Sequence, residues 1–115
     1  MGSAPHFLKS DVKGSQDLSS AALSKTTVTT KPFRLEEIHI HASQAITETV
    51  TITIDSKHGA NWDAKKVSRS MVAEQDFVYR PQGEANFQAG DEIKVQVTNA
   101  NGVGTVYYTI KRSEL

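Results

Sequence analysis

The sequence predicts an all-β fold, a small antiparallel β-sandwich or jelly-roll-like domain with an extended N-terminal arm. Three observations carry this expectation. Val50-Thr-Ile-Thr-Ile54 alternates apolar residues and threonine without a break, the pattern of a half-buried strand. Asn101-Gly102 is the dipeptide that best suits a two-residue hairpin turn, whose central residues need positive φ. The five or six strands that can be read each have a single apolar face, so they must close over one another rather than stand as an open sheet.

Taken from the N-terminus, residues 9–31 hold five Ser, four Thr and four Lys but no aromatic residue. Leu18, Ala21, Ala22 and Leu23 form their one apolar cluster. This composition predicts an arm spanning residues 1–31, with a helical turn around 17–24 and an extended stretch over 26–30, followed by a sandwich domain over 32–115. Phe33 and Leu35 share one parity and Ile38 and Ile40 the other. A β-bulge at Glu36 and Glu37 would return all four to one buried face, since one extra residue flips the alternation. After the Val50–Ile54 strand, residues 55–75 show no clean period and read as a long connection with a helical turn between Asp63 and Met71. Phe77–Arg80 reads as a short strand stopped by Pro81.

Ala89-Gly90-Asp91 is the turn that launches the next strand. Centring a hairpin on Asn101-Gly102 sets Val97 opposite Val106, Val95 opposite Tyr108 and Ile93 opposite Ile110 on one face. Glu92 then meets Lys111 on the other.

A chain of 115 residues is one domain in size. Thirteen basic and thirteen acidic residues cancel, which removes the broad positive field that draws proteins to nucleic acid or anionic membrane. Neither is expected as a direct partner. Without cysteine there is no disulfide, cysteine-based zinc site or thiol nucleophile, and the redox compartment stays open. The longest apolar runs are three residues, such as Val106–Tyr108. No signal peptide or transmembrane segment is expected from runs this short.

Three groupings are candidate chemistry. His39 and His41 lie two apart on a strand, both on one face, a spacing able to bind zinc or copper. Their further ligands would have to come from Glu37 or His58, and the parity that buries Ile38 and Ile40 turns both imidazoles outward, so no metal site is expected. Asp55, Asn61 and Asp63 offer oxygens in one loop but miss the spacing of a calcium loop. Lys65, Lys66 and Arg69 beside Trp62 suit a phosphate or single-stranded base, although the balanced charge favours an ordinary solvated loop. No local catalytic signature is found, so no catalytic residue and no cofactor are expected.

From Pro32 onward the chain resembles small β-sandwich proteins of tailed bacteriophage particles. The likeness rests on residues 31–41, Val50–Asp55, Gly59-Ala-Asn-Trp-Asp63, Asp76–Pro81, Gly90-Asp91, and Val97-Thr-Asn99 running into Asn101-Gly102. What the resemblance implies is a structural part of a virion, a capsid decoration or minor head protein packing on other virion subunits and on copies of itself. The virion is then the expected location, and otherwise a soluble state.

In this reading Phe7, Leu8, Val12, Leu18 and Leu23 are anchors that order the arm only against a partner, and Trp62 anchors an interface. Deleting residues 1–30 should then leave a folded domain. The alternative is a glycan- or receptor-binding module in which Trp62, Tyr79 or Tyr107 stacks on a sugar.

Overall fold

The computed structural model describes residues 9–28, 31–55, 65–81 and 86–114. They form seven strands: β1 (Lys9–Asp17), β2 (Leu23–Val28), β3 (Phe33–Asp55), β4 (Lys65–Tyr79), β5 (Asn86–Phe87), β6 (Glu92–Val97) and β7 (Thr105–Glu114). All pairings are antiparallel. The all-β expectation holds, and no helix occurs among the described residues.

β3, 23 residues long, organises the rest. Along one edge its first part pairs with β7, from Phe33 opposite Glu114 to Ala42 opposite Val106. Its last part pairs along that edge with β6, from Val50 opposite Val97 to Asp55 opposite Glu92. The other edge carries β4 and, at Phe33 and Arg34, β5. β1 extends β7 and β2 extends β6.

Register shifts between His41 and Ile46 and between Ile46 and Glu48 bend the β3–β4 hairpin, as bulges do. One sheet thereby becomes two layers, β4–β3–β7–β1 and β4–β3–β6–β2. Ile38, Ile40, Val106 and Ile110 of the first layer join Val50, Ile52, Ile93 and Val95 of the second in a single buried cluster. Each such side chain is worth about 1.5–3 kcal/mol relative to exposure.

Where β4 bends, Ala73 takes a positive φ of 49° and donates its N–H to Thr47 Oγ1 at 3.1 Å. Arg69 spans this bend. Its guanidinium meets the Glu74 carboxylate at 3.0 Å and lies 5.5 Å from the centre of the Phe77 ring.

The bulge expected at Glu36 and Glu37 is present: Leu35 faces Arg112, Glu37 faces Lys111, and the register slips between them. Phe33, Leu35, Ile38 and Ile40 are consequently all buried. The Glu36 carboxylate accepts the Ser113 hydroxyl at 2.7 Å, and Arg112 lays its guanidinium 4.2 Å from the centre of the Phe33 ring. The turn before β6 also forms, with Gly90 at φ 96° and Asp91 N–H donating to Gln88 O at 3.1 Å.

Three expectations are corrected. Residues 9–28 are not an arm. β1 pairs with β7 along its whole length, β2 does the same with β6, and Leu18 and Leu23 lie in the core. Outer strands of a sandwich need only one apolar face and gain much of their order from main-chain hydrogen bonds, so a Ser/Thr/Lys-rich composition suffices. The helical turn expected around 17–24 is present but shorter, over 17–21: Ser20 and Ala21 donate to Asp17 O, the Asp17 carboxylate caps it by accepting both the N–H and the hydroxyl of Ser19, and β2 begins at Leu23.

Residues 65–75, read as connection with a helical turn, belong to β4. Their period is blurred because Arg69 occupies an inward-parity position and a bulge follows it.

The Asn101-Gly102 hairpin does not form. β6 and β7 each pair with β3 and not with one another. Val97 stands opposite Leu23 and Val50, and Val106 opposite Gln16 and Ala42. Gly102 and Gly104 have φ of 61° and 82°, but Asn101 is not in the positive-φ region that a type I′ turn requires of it. Residues 98–104 instead cross between layers, held by Glu48. Its carboxylate accepts the Thr98 hydroxyl at 2.7 Å, Ala100 N–H at 2.9 Å and Asn101 N–H at 2.8 Å. The buried face expected of both strands is nevertheless correct: Ile93, Val95, Val97, Val106, Tyr108 and Ile110 all point inward.

Candidate partner-binding face

Alternation that buries Ile38, Ile40, Val106, Tyr108 and Ile110 sends their neighbours to the outer face of the β4–β3–β7–β1 layer. Strand register orders these outward residues into rows. Glu37, Lys111 and Asp11 stand side by side on β3, β7 and β1, with Arg80 just past β4 completing the row through a 2.8 Å bond from its Nε to Glu37 Oε1. The next row is Val78, His39, Thr109 and Lys13. The third is Asp76, His41, Tyr107 and Ser15.

The first row alternates in charge, positive at Arg80 and Lys111 and negative at Glu37 and Asp11. Lys111 Nζ lies 3.6 Å from Glu37 Oε2. The Arg80 hydrogen bond and, more weakly, Lys111 hold the Glu37 carboxyl below its usual range despite the opposing effect of burial.

In the other rows Asp76 Oδ1 accepts from His41 Nδ1 at 2.8 Å and His39 Nε2 at 3.1 Å. An ionised carboxylate only accepts, so both facing ring nitrogens carry protons. The His41 bond first, then that of His39, lowers the Asp76 carboxyl. Tyr107 lies 6.4 Å from His41, centroid to centroid. Tyr107 at 48% and Val78 at 41% exposure leave an aromatic ring and an aliphatic side chain in solvent amid these polar groups.

On the other layer two open hollows of about 240 and 220 Å³ are smaller than the pockets that usually enclose small molecules. Thr47, Thr49 and Ser70 line the first and Ser24, Thr51 and Gln96 the second. Glu48, at the wall of the first, is the one acid in it. Burial would raise its carboxyl, but hydrogen bonds from Asn101, Thr98, Ala100 and Gly102 outweigh that and lower it. It is an ionised structural anchor rather than an available proton donor.

Of the residues singled out from sequence, Leu18 and Leu23 are buried in this chain's own core and Val12 packs against it. Leu18 and Leu23 are therefore not free to anchor a partner, and Val12 is partly buried. Phe7, Leu8, His58, Asn61, Trp62 and Asp63 lie outside the described residues. Tyr79 is partly buried against the core, while Tyr107 is exposed. His39 and His41 do face outward, but Glu37 does not join them: it is engaged by Arg80 and Lys111, and the common neighbour of the two imidazoles is Asp76.

The signal for Asp76 was present. Phe77 and Tyr79 facing inward put Asp76, Val78 and Arg80 outward, opposite His41, His39 and Glu37. Among the described residues no group of three or more such side chains is arranged to hold a metal ion, and no helix is long and apolar enough to cross a membrane.

No protein-family model, curated protein or solved structure matches the chain.

Proposed function

We propose that this chain is a structural assembly protein that binds neighbouring subunits through the outer face of the β4–β3–β7–β1 layer, as a component of a larger particle such as a phage virion. The observation that carries the reading is the exposure of Tyr107 and Val78 on a sheet face ordered into charged and imidazole rows. Aromatic and apolar groups ringed by polar ones are the usual make-up of a protein–protein contact. The two hollows are small and open, and the buried acid beside one is occupied by the Thr98 hydroxyl and two main-chain amides, an arrangement better suited to packing than to catalysis. The mass of the native complex, measured on the tagged full chain from the cells that make it, tests this. A multi-subunit particle is expected, and a species at the 12.6 kDa chain mass under all gentle conditions would overturn the proposal.

The second reading, a glycan-binding module, has one observation in its favour. Tyr107 is exposed beside His41, an aromatic ring next to hydrogen-bonding groups. Saturable binding to a carbohydrate array that is lost in Tyr107→Ala would favour it over assembly.

A further inference from the structure

From the order of charges across this face we infer that it docks on the same face of a second copy, in a two-fold dimer whose axis runs along the strands between β3 and β7. The inference rests on the assembly reading and names the partner. Rotation about that axis reverses each row from side to side and lays it on its own counterpart. In the first row Arg80 of one copy meets Asp11 of the other, and Glu37 meets Lys111, each pair occurring twice. The alternation of sign along Arg80, Glu37, Lys111 and Asp11 is what makes the row complementary to its own reverse.

The remaining rows agree with this arrangement. Val78 meets the aliphatic stem of Lys13, and His39 meets Thr109. In the third row Asp76 meets Ser15, and His41 meets Tyr107, adding an imidazole–phenol contact. No like charges oppose. Rotation about the perpendicular in-plane axis is poorer, because it places Lys13 on Lys13 and His39 on His39. A two-fold contact uses one patch on both subunits, so self-complementarity is the property it demands.

Four strands about 4.8 Å apart and three rows about 6.8 Å apart give, with side-chain margins, a footprint of roughly 400 Å² per copy. Standard interfaces bury about 800 Å² per partner. The dimer is therefore weak in isolation and becomes significant at the local concentration of an assembly. Its ion pairs lie near solvent and weaken with salt.

A charge-swap experiment on the full chain tests the inference by sedimentation from micromolar to millimolar concentration at low salt, with thermal unfolding as the check on folding. Asp11→Arg and Arg80→Asp each place like charges together, and each should weaken dimerisation about tenfold or more. Mixing the two single variants in equal amounts restores opposite charges at both ends, as does combining both substitutions in one chain, so both should recover association. Recovery of this kind cannot come from a general loss of stability. A wild-type chain that stays monomeric across the range overturns the inference. Self-association indifferent to both substitutions also overturns it, while leaving assembly through another surface standing. The native-complex mass reports on that broader reading independently.

Discussion

Glu48 shows how a single residue can decide the course of the chain. It occupies an inward position on β3 between Ile46 and Val50, where parity calls for an apolar side chain, and is only 4% exposed. A carboxylate there is tolerable because Thr98, Ala100 and Asn101 supply donors, and these bonds fasten the 98–104 crossing to β3. Glu48→Gln keeps an acceptor but loses the charge and turns an NH₂ toward main-chain donors. With buried unsatisfied groups costing about 1–3 kcal/mol each, it should destabilise by roughly 2–4 kcal/mol in chemical denaturation.

The pH dependence has a defined sign. The folded carboxyl is lowered from its ordinary value of 4.5, so its contribution is fully present above that value and is lost as pH falls through the lower folded pKa. The wild type should lose stability on acidification below about pH 4.5 more steeply than Glu48→Gln. Parallel curves for the two proteins would show that Glu48 plays no such part. An acid at a core-parity position was legible in the sequence, but its donors lie some fifty residues away and no local pattern links them.

At the level of elements, short-range rules succeeded where a strand's neighbours did not matter. The bulge at Glu36, the turn at Gly90, and the inward faces of β6 and β7 follow from side-chain parity and glycine backbone freedom, both local properties. Pairing is a non-local property, and there the same rules misled. Asn101-Gly102 suited a tight turn, yet β6 and β7 each found a longer partner in β3. β1 was illegible for a related reason. Its Gly14 lies directly opposite Tyr108, and a Cβ there would overlap the phenol end of the Tyr108 side chain. The glycine that weakens the strand signal is what lets the tyrosine lie flat against β1 and remain 7% exposed.

Residues 9–28 cover the edges of β6 and β7 and insert Leu18 and Leu23 into the core, at about 1.5–3 kcal/mol each. Deleting residues 1–28 should therefore abolish cooperative folding rather than yield a trimmed domain. Circular dichroism and proton NMR of the truncated chain decide the matter, and a dispersed, cooperatively melting fragment would show that β1 and β2 are accessory.

For the molecule as a whole, the consequence of the bent β3–β4 hairpin is mechanical unity. Each layer contributes a different outer pair of strands, β7–β1 or β6–β2, but both layers use the same two central strands and enclose one core. Neither layer can open without stripping partners from β3. A sandwich whose sheets were separate could lose one sheet's edge while retaining the other, whereas here local opening of either layer should merge with global unfolding. Ile110→Ala in β7 and Val95→Ala in β6 remove buried side chains from opposite layers, at about 2–5 kcal/mol for the isoleucine and somewhat less for the valine. Each substitution should lower the hydrogen-exchange protection of β3 amides and of the opposite layer's amides by the same free energy as those of its own layer. Native-state exchange across β6 and β7 measures this directly. If Ile110→Ala left β6 protection unchanged, the layers would be independent folding units and the shared hairpin only a covalent link between them.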